Sequence, residues 1–351
     1  MRFLPVEPWA AEVAIFDDQN ATHALSIAAS DQLLSVLVPV YNEQEVLPEF
    51  HRRLVAALSD LDLEHEVLYV NDGSTDGSAE VLRQLRESDS RISVLDLSRN
   101  FGKEIAMAAG LDHVRGDAVV IIDADLQDPP ELIPRMLAAW KQGYDQVEMK
   151  RISREGESTA KRWTAHAFYR LMTRVSDVRI TEDVGDFRLL SRRAVDGMRQ
   201  LGERNRFMKG LYAWVGYPRV QIAYHRLPRH AGKTKWNYWR LWNFAIEGFT
   251  SFTVMPLKVA SYVGLLVALI AFVYGVAVIL KTLVFGDSVS GYPSLMVVLL
   301  FLGGAQLMCL GVLGEYLGRM FIEIKQRPLY LVSEFHPAGA DVDPDILRLA
   351  R

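Results

Sequence analysis

The chain has 351 residues, half of them hydrophobic, with a formal net charge of −4 and a pI near 6.1. That length fits a catalytic domain plus a second unit of about a hundred residues, and the acidic balance excludes the overall basic field that a nucleic-acid partner would need. A single cysteine, Cys309, lies in an apolar run, which excludes an intrachain disulfide.

Residues 1–31 hold apolar side chains interrupted by Glu7, Glu12, Asp17 and Asp18, too broken for the core of a signal peptide. A disordered leader is expected, with a short docking helix over 10–16 as the alternative. From Leu33 the text becomes Leu-Leu-Ser-Val-Leu-Val-Pro-Val-Tyr, a buried parallel strand ended by a proline. Val46, Leu47, Phe50, Leu54, Leu58 and Leu61 then recur at three- and four-residue steps, one apolar stripe on a helix over 45–61. The pattern predicts a strand over 66–70, a helix over 79–85, a strand over 92–97, a helix over 104–114 and a strand over 118–123. Such alternation argues for a Rossmann-like α/β catalytic domain over 32–235 with a mainly parallel sheet, its ligands at the carboxyl ends of the strands. Between Asp145 and Arg229 the pattern loosens into polar and basic helix, loop and short strand.

Two uncharged apolar runs follow, 259–280 and 292–314, each a little longer than the roughly 20 residues a helix needs to cross a bilayer. The joining stretch 281–291 is too short for a domain, so the pair predicts a transmembrane hairpin (257–316) with both ends on one side. Lys233, Lys235 and Lys258 precede it and Arg319, Lys325 and Arg327 follow it, which places the catalytic domain in the cytoplasm, on the inner membrane. The aromatic-rich amphipathic stretch 236–256 and the helix that opens the tail 317–351 belong at the headgroup level. The alternative is that their apolar stripes pack on the catalytic domain.

The strongest chemical signal is Ile121-Ile122-Asp123-Ala124-Asp125-Leu126-Gln127-Asp128-Pro129-Pro130-Glu131. Two carboxylates two residues apart at a strand end, pointing to the same side by strand alternation, make a hard oxygen site for Mg²⁺ or Mn²⁺, and Gln127 can add a neutral oxygen. An Asp-x-Asp is common in solvated turns, but here other motifs close the neighbouring strands. Val38-Pro39-Val40-Tyr41-Asn42-Glu43 ends the first strand, with a ring and a carboxylate suited to a nucleobase. Val70-Asn71-Asp72-Gly73-Ser74-Thr75-Asp76-Gly77 ends the second; Asp72 can accept from base or ribose, while Ser74, Thr75 and Asp76 serve equally as helix N-caps.

With these blocks the chain resembles the family 2 glycosyltransferases of GT-A fold, and within them the polyprenyl-phosphate sugar transferases, among which are bactoprenol glucosyltransferases and dolichol-phosphate mannose synthases. The resemblance runs from Leu33 to Val332 through VPVYNE, VNDGSTDGS, SRNFGKEIAMAAGL, DADLQDPPE, VGDFRLLSRR, RFMKGLYAWVGY, RHAGKTKW and the two-span tail. It implies that Pro39, Tyr41, Glu43 and Asp72 hold the nucleoside, that Asp123, Asp125 and Gln127 hold the metal, with Asp123 also at the nucleotide, and that Arg99 and Lys103 lie near the donor. It also implies inversion at the anomeric carbon and a homotetramer.

A phosphate monoester acceptor, with a second pKa near 6, is already largely dianionic at pH 7 and needs no strong base. The site must instead hold two anions together with basic side chains. Candidates are Arg188, Arg206, Lys209, Arg229, Lys233 and Lys235, while Arg192 and Arg193 read as a solvated helix face. Asp186 stands where the wider superfamily carries a base; it is expected to orient the acceptor or a basic side chain, or to act as a structural cap. Asp125, Asp186 and Arg188 are thus the expected catalytic set.

The expected substrates are UDP-glucose and undecaprenyl phosphate, although donors such as GDP-mannose, UDP-galactose, UDP-GlcNAc and UDP-aminoarabinose fit the same blocks. A processive polysaccharide synthase would carry Gln-x-x-Arg-Trp where this chain has Arg-His-Ala-Gly-Lys-Thr-Lys-Trp. A nicotinamide-dependent dehydrogenase would need Gly-x-Gly-x-x-Gly after the first strand, which is missing. A non-catalytic sugar-nucleotide scaffold would have no use for an open metal site.

Overall fold

The computed structural model describes residues 15–17, 32–152, 184–204, 206–225, 255–285 and 291–339. The expected contacts Arg229, Lys233 and Lys235, and nearly all of the interface stretch 236–256, lie outside the described residues. The chain divides into two compact units, one made of 1–169, 178–237 and 328–351, the other of 170–177 and 238–327.

The first unit is built on a nine-stranded sheet of β1 (Ile15–Asp17), β2 (Leu33–Val40), β3 (Glu64–Asn71), β4 (Ile92–Leu97), β5 (Ala118–Ile121), β6 (Gln146–Arg151), β7 (Val184–Ser191), β8 (Arg219–Tyr224) and β9 (Val332–His336), in the order β1-β8-β6-β7-β5-β2-β3-β4-β9. Its helices are α1 (Leu47–Ser59), α2 (Ser78–Ser88), α3 (Lys103–His113), α4 (Ile133–Lys141), α5 (Arg192–Gln200) and α6 (Met208–Trp214), with a 3₁₀ turn at Pro130–Leu132. Strand β2 is covered on both faces, which is why it reads as an almost unbroken apolar run. Leu34, Val36 and Val38 join Leu47, Phe50, Leu54 and Leu58 of α1 in one core cluster, while Leu37 meets α3 at Gly110 on the other face. Each such fully buried side chain contributes about 1.5–3 kcal/mol.

Strands β5-β2-β3-β4 form the parallel block expected from the alternation. Beyond it the sheet is mixed, with β5/β7, β6/β7, β1/β8 and β4/β9 antiparallel and β6/β8 parallel. Among its described residues the loosely patterned region therefore holds three more strands and two helices. The leader also contributes more than expected, because β1 pairs with β8 at the sheet's edge. Strand β5 stops at Ile121, two residues short of the expected end, and Asp123–Asp128 form a turn in which Leu126 has φ 60°. The two acids thus owe their placement to a turn and not to strand alternation.

The second unit contains α7 (Met255–Phe285, 31 residues) and α8 (Tyr292–Ile324, 33 residues). Helix α8 continues ten residues past Gly314 (314 to 324) before the chain returns to the first unit as β9. Many of the apolar side chains of both helices are exposed, among them Tyr262, Leu265, Phe272, Leu283, Leu307 and Met308. Taken on the described residues alone, no helix is long and apolar enough to cross a membrane. Several side chains inside α7 and α8 are not described, so the expectation of spans rests on the complete sequence, where 259–280 carries no charged residue.

Candidate active site

The ends of β2, β3, β4 and β5 open on one edge of the sheet, and β6 runs in the same sense because it is antiparallel to β7, itself antiparallel to β5. The loops after β2 and β3 are laced together. Asn42, with φ 55°, donates its amide hydrogen to Ser74 Oγ at 3.1 Å and accepts that of Thr75 at 2.8 Å. The Glu43 N–H reaches Ser78 Oγ at 2.9 Å, and Gly77 N–H reaches Gln44 Oε1 at 2.6 Å. Asp76 accepts from Ser78 N–H at 2.9 Å, one residue ahead of Gly77, the N-cap of α2. Pro39, Tyr41 and Glu43 border this double loop, each partly exposed.

Asp72, buried, accepts the amide hydrogens of Phe101 at 2.7 Å and Gly102 at 2.9 Å. It thus fixes the start of α3. Burial pushes its carboxyl up, against the pull of those two amides and of Arg99. The loops approach so closely that a Cβ on Gly73, at φ +61°, would lie 2.4 Å from the Arg99 carbonyl carbon, a position open only to glycine.

The first residue of α3 is the hub of the site. Lys103 Nζ donates to Asp123 Oδ2 at 2.8 Å and to Asp186 Oδ2 at 2.5 Å. The β5/β7 pairing ends with Ile121 opposite Arg188, and the turn after β5 and the first residues of β7 bring Asp123 and Asp186 to the same ammonium. Burial opposes the Lys103 ammonium, but the two carboxylates outweigh it and raise its pKa. Burial would raise Asp186 too, yet Lys103, then Lys209 and Arg188, hold it well below the usual carboxylate range. Asp123 goes the other way: burial first, then repulsion from Asp186, Asp128 and Asp125, outweighs Lys103 and raises it.

Asp125 accepts the Gln127 amide hydrogen at 3.0 Å within the turn. Among the described residues no three Asp, Glu, His or Cys side chains form a cage for a metal ion. A site of two acids and an amide oxygen instead leaves coordination positions for a diphosphate. One observation fits a hard divalent cation: burial, then repulsion from Asp186, Asp128 and Asp125, opposes the charge of Asp123, and a bound cation would offset that repulsion.

The other expected anion-binding residues separate. Lys209, on α6, belongs to the cluster; burial lowers its pKa, Asp186 and Glu104 raise it, and Arg151 and Lys103 lower it. Arg188 is buried beneath, its guanidinium 3.7 Å from the Tyr212 ring centroid, NH1 3.7 Å from Glu148 Oε1 and NH2 donating to Gly185 O at 2.9 Å. It supports Asp186 from two residues along the strand and does not line the open edge. Arg206 is not brought to the cluster: it donates to Leu201 O at 2.7 Å and has Asp112, Glu203, Tyr212 and Tyr330 as its electrostatic neighbours. Of the two arginines expected on a solvated face, Arg193 is exposed there while bonded to Asp145 at 2.5 Å, and Arg192 is half-buried and donates to the Gly116 carbonyl.

Three residues of the site escaped the sequence reading. Glu104 accepts the Met208 amide hydrogen at 2.7 Å. Burial and the nearness of Asp186 push its carboxyl up to about 7, against Met208 N–H, Lys103 and Lys209. Arg151 ends β6 at the same edge as Asp123, lies 3.9 Å from Asp128 Oδ2 and donates to Tyr224 OH at 3.4 Å, and Tyr224 OH donates to Asp128 Oδ1. Gly185 gives it room, since a Cβ there would be 2.5 Å from Arg151 NH2. The available signal was the charged residue that closes Gln146–Arg151, where β2, β3, β4 and β5 end on uncharged residues.

Residues 35–198 match the glycosyl transferase family 2 domain and residues 255–320 the GtrB C-terminal hairpin. The chain is 50% identical to an uncharacterized glycosyltransferase of Synechocystis over 86% of its own length and 95% of the relative's. It is 48% identical to the SfII prophage-derived bactoprenol glucosyl transferase of Shigella flexneri, over 86% of this chain and 98% of that one, and 48% identical over the same shares to a prophage bactoprenol glucosyl transferase homolog of Escherichia coli K12. Identity at this level across nearly whole chains, joined to the acid-bearing edge of a GT-A sheet and the paired C-terminal helices, makes this protein a member of glycosyl transferase family 2, a glycosyltransferase with a GtrB-type hairpin.

Proposed function

We propose that this enzyme transfers glucose from UDP-glucose onto undecaprenyl phosphate, or a near relative of it, at the cytoplasmic face of the inner membrane, with inversion and with Mg²⁺ or Mn²⁺. The relatives named bactoprenol glucosyl transferases support the acceptor and the sugar. The observation that carries the reading is the state of Asp186: the carboxylate where a general base would stand is bonded to Lys103 and flanked by Lys209, an arrangement for holding an anion rather than for removing a proton. An alcohol acceptor would need that proton removed, whereas a phosphate would not.

In this reading Pro39, Tyr41, Glu43 and Asp72 border the nucleoside at the ends of β2 and β3. Asp123, Asp125 and Gln127 would hold the divalent cation, which when bound neutralises charge developing on the leaving nucleotide. Lys103 bridges the donor side at Asp123 and the acceptor side at Asp186. Lys209 and Arg151 supply positive charge to the incoming phosphate, joined by Arg229, Lys233 and Lys235. Positioning two anions in line is then the main task of the protein.

The hairpin would deliver the lipid. Helices α7 and α8 expose many large apolar side chains, a surface that water does not tolerate over such an area, and 259–280 is free of charge over a length that covers the bilayer's hydrocarbon at about 1.5 Å per residue. Lipid is the cover this surface fits, with the amphipathic stretch 236–256 at the headgroups and the enzyme assembled as a tetramer.

The test is a purified full-length enzyme in nanodiscs, given undecaprenyl phosphate and a panel of radiolabelled sugar nucleotides. A chloroform-soluble product is expected from UDP-glucose, lost with EDTA and restored by Mg²⁺ or Mn²⁺. Label entering lipid without a cation would remove the metal, and no lipid product from any donor would remove the acceptor.

A further inference from the structure

The first turns of α3 and α6 lie about a hundred residues apart in the chain but share one carboxylate. Glu104, the second residue of α3, accepts through Oε2 the amide hydrogen of Met208, the first residue of α6, at 2.7 Å. That amide is one of the donors a helix cannot satisfy for itself, and a carboxylate satisfies it with charge assistance. Each partner of this bond is next to a lysine of the site, Lys103 before Glu104 and Lys209 after Met208. Lys103 is held by its two carboxylates. Lys209 faces Asp186 and Glu104 as attractive charges but Arg151 and Lys103 as repulsive ones. Seven residues of helix are too few to hold α6 in place by themselves, so something outside the helix must fix where Lys209 points.

We infer that Glu104 is a positioning residue of the acceptor site: by clamping the start of α6 to the first turn of α3 it keeps the Lys209 ammonium beside Asp186, where the acceptor phosphate binds. This rests on the acceptor role given to Lys209 above. The carboxylate touches neither substrate; it acts through the Met208 amide and, as the negative neighbour of Lys209, against the repulsion of Arg151 and Lys103.

The experiment measures, on the full-length enzyme in nanodiscs with labelled UDP-glucose and undecaprenyl phosphate, the KM of each substrate and kcat for Glu104→Ala, Glu104→Gln, Lys209→Ala and the Glu104→Ala/Lys209→Ala double variant. Glu104→Ala is expected to raise the acceptor KM about tenfold while the donor KM stays within about twofold. Glu104→Gln, whose amide oxygen can still accept from Met208, should recover to within about threefold of wild type. The double variant should be no worse than the poorer single variant by more than about twofold, because both act through one ammonium. Multiplying losses, a donor KM that rises as much as the acceptor KM, or a Gln variant as poor as the Ala variant would each overturn the inference. Should Glu104→Ala fail to fold, Glu104→Asp, one methylene short of Met208, must show the same acceptor-selective loss. A wild type that does not glucosylate the lipid defeats the proposed function instead, and that outcome is read before any variant is made.

Discussion

The two halves of the catalytic sheet reach the same edge by different routes. In the parallel half, β2, β3 and β4 each pair with a neighbour joined by one helix while β5 pairs with β2 from beyond β4, and Asp72, Lys103, Asp123 and Asp125 sit in the turns and the helix start that follow the strands' carboxyl ends. In the other half, β6 to β8, strand direction is mixed, and Asp186, Arg151 and Lys209 arrive from elements separated by long stretches of chain. In the proposed reading the first half would hold the donor and the second the acceptor, so the difference in construction would coincide with a division of labour. Lys103 joins them, with one carboxylate from each.

The most damaging change should be on the parallel side. Asp125→Ala removes one of the two acids of the turn; turnover should fall by roughly 10²–10³ or more, while circular dichroism keeps the wild-type form because the turn lies beyond the end of β5. Near-normal turnover would separate the Asp-x-Asp turn from the chemistry altogether.

Lys103→Met cuts the joint between the halves. Asp123 and Asp186 then face one another without the ammonium between them, and kcat should drop about a hundredfold. The stability cost should be small, about 1 kcal/mol by denaturant titration, because the lysine side chain is 42% exposed and solvent screens such pairs. A loss confined to one substrate's KM would show that Lys103 serves one half only.

Asp72→Ala should act mainly through structure. It leaves the Phe101 and Gly102 amides without their acceptor, at a cost of about 1–3 kcal/mol for a buried site, and loosens the start of α3 that carries Lys103. A donor KM raised about tenfold is expected, with Asp72→Asn, which keeps one accepting oxygen, between the two. An Asn variant with full stability but the Ala variant's donor KM would instead place the carboxylate on the nucleoside itself.

The same contrast explains what could be read from the sequence. The stripe of Leu47, Phe50, Leu54 and Leu58 and the apolar run of β2 declare themselves because local period and burial coincide. The strand pairings of β6 and β7 do not, since QVEMKR and VGDFRLLS gain their faces only from partners many residues away. Arg188 illustrates the cost: its motif is correct, but only the register with β5 and the Tyr212 ring show that it is buried support rather than an exposed contact. Arg206 was misplaced for the same reason, being adjacent in sequence to the site's α6 while bonded away from it to Leu201 O. Glu104 was passed over because a glutamate in a helix's first turn is ordinary, and its bond to Met208 exists only in the folded chain.

The smallest effect tests that last residue by pH. The Glu104 carboxyl is raised to about 7 from its ordinary 4.5, by burial and then by Asp186 on β7, with Met208 N–H and the lysines of α3 and α6 opposing. A carboxyl whose folded pKa lies above its unfolded value binds its proton more tightly in the fold; its contribution to stability is therefore full below pH 4.5 and is lost as pH rises through 7. Glu104→Gln removes that titration while keeping an oxygen for Met208. Relative to wild type, the variant should gain on moving from pH 5 to pH 8 by about 2 kcal/mol, read as roughly 4–8 °C in Tm. Parallel melting curves across that range would mean that Glu104 stays ionised throughout, and that Lys209 and Lys103 offset its burial more strongly than the packing implies.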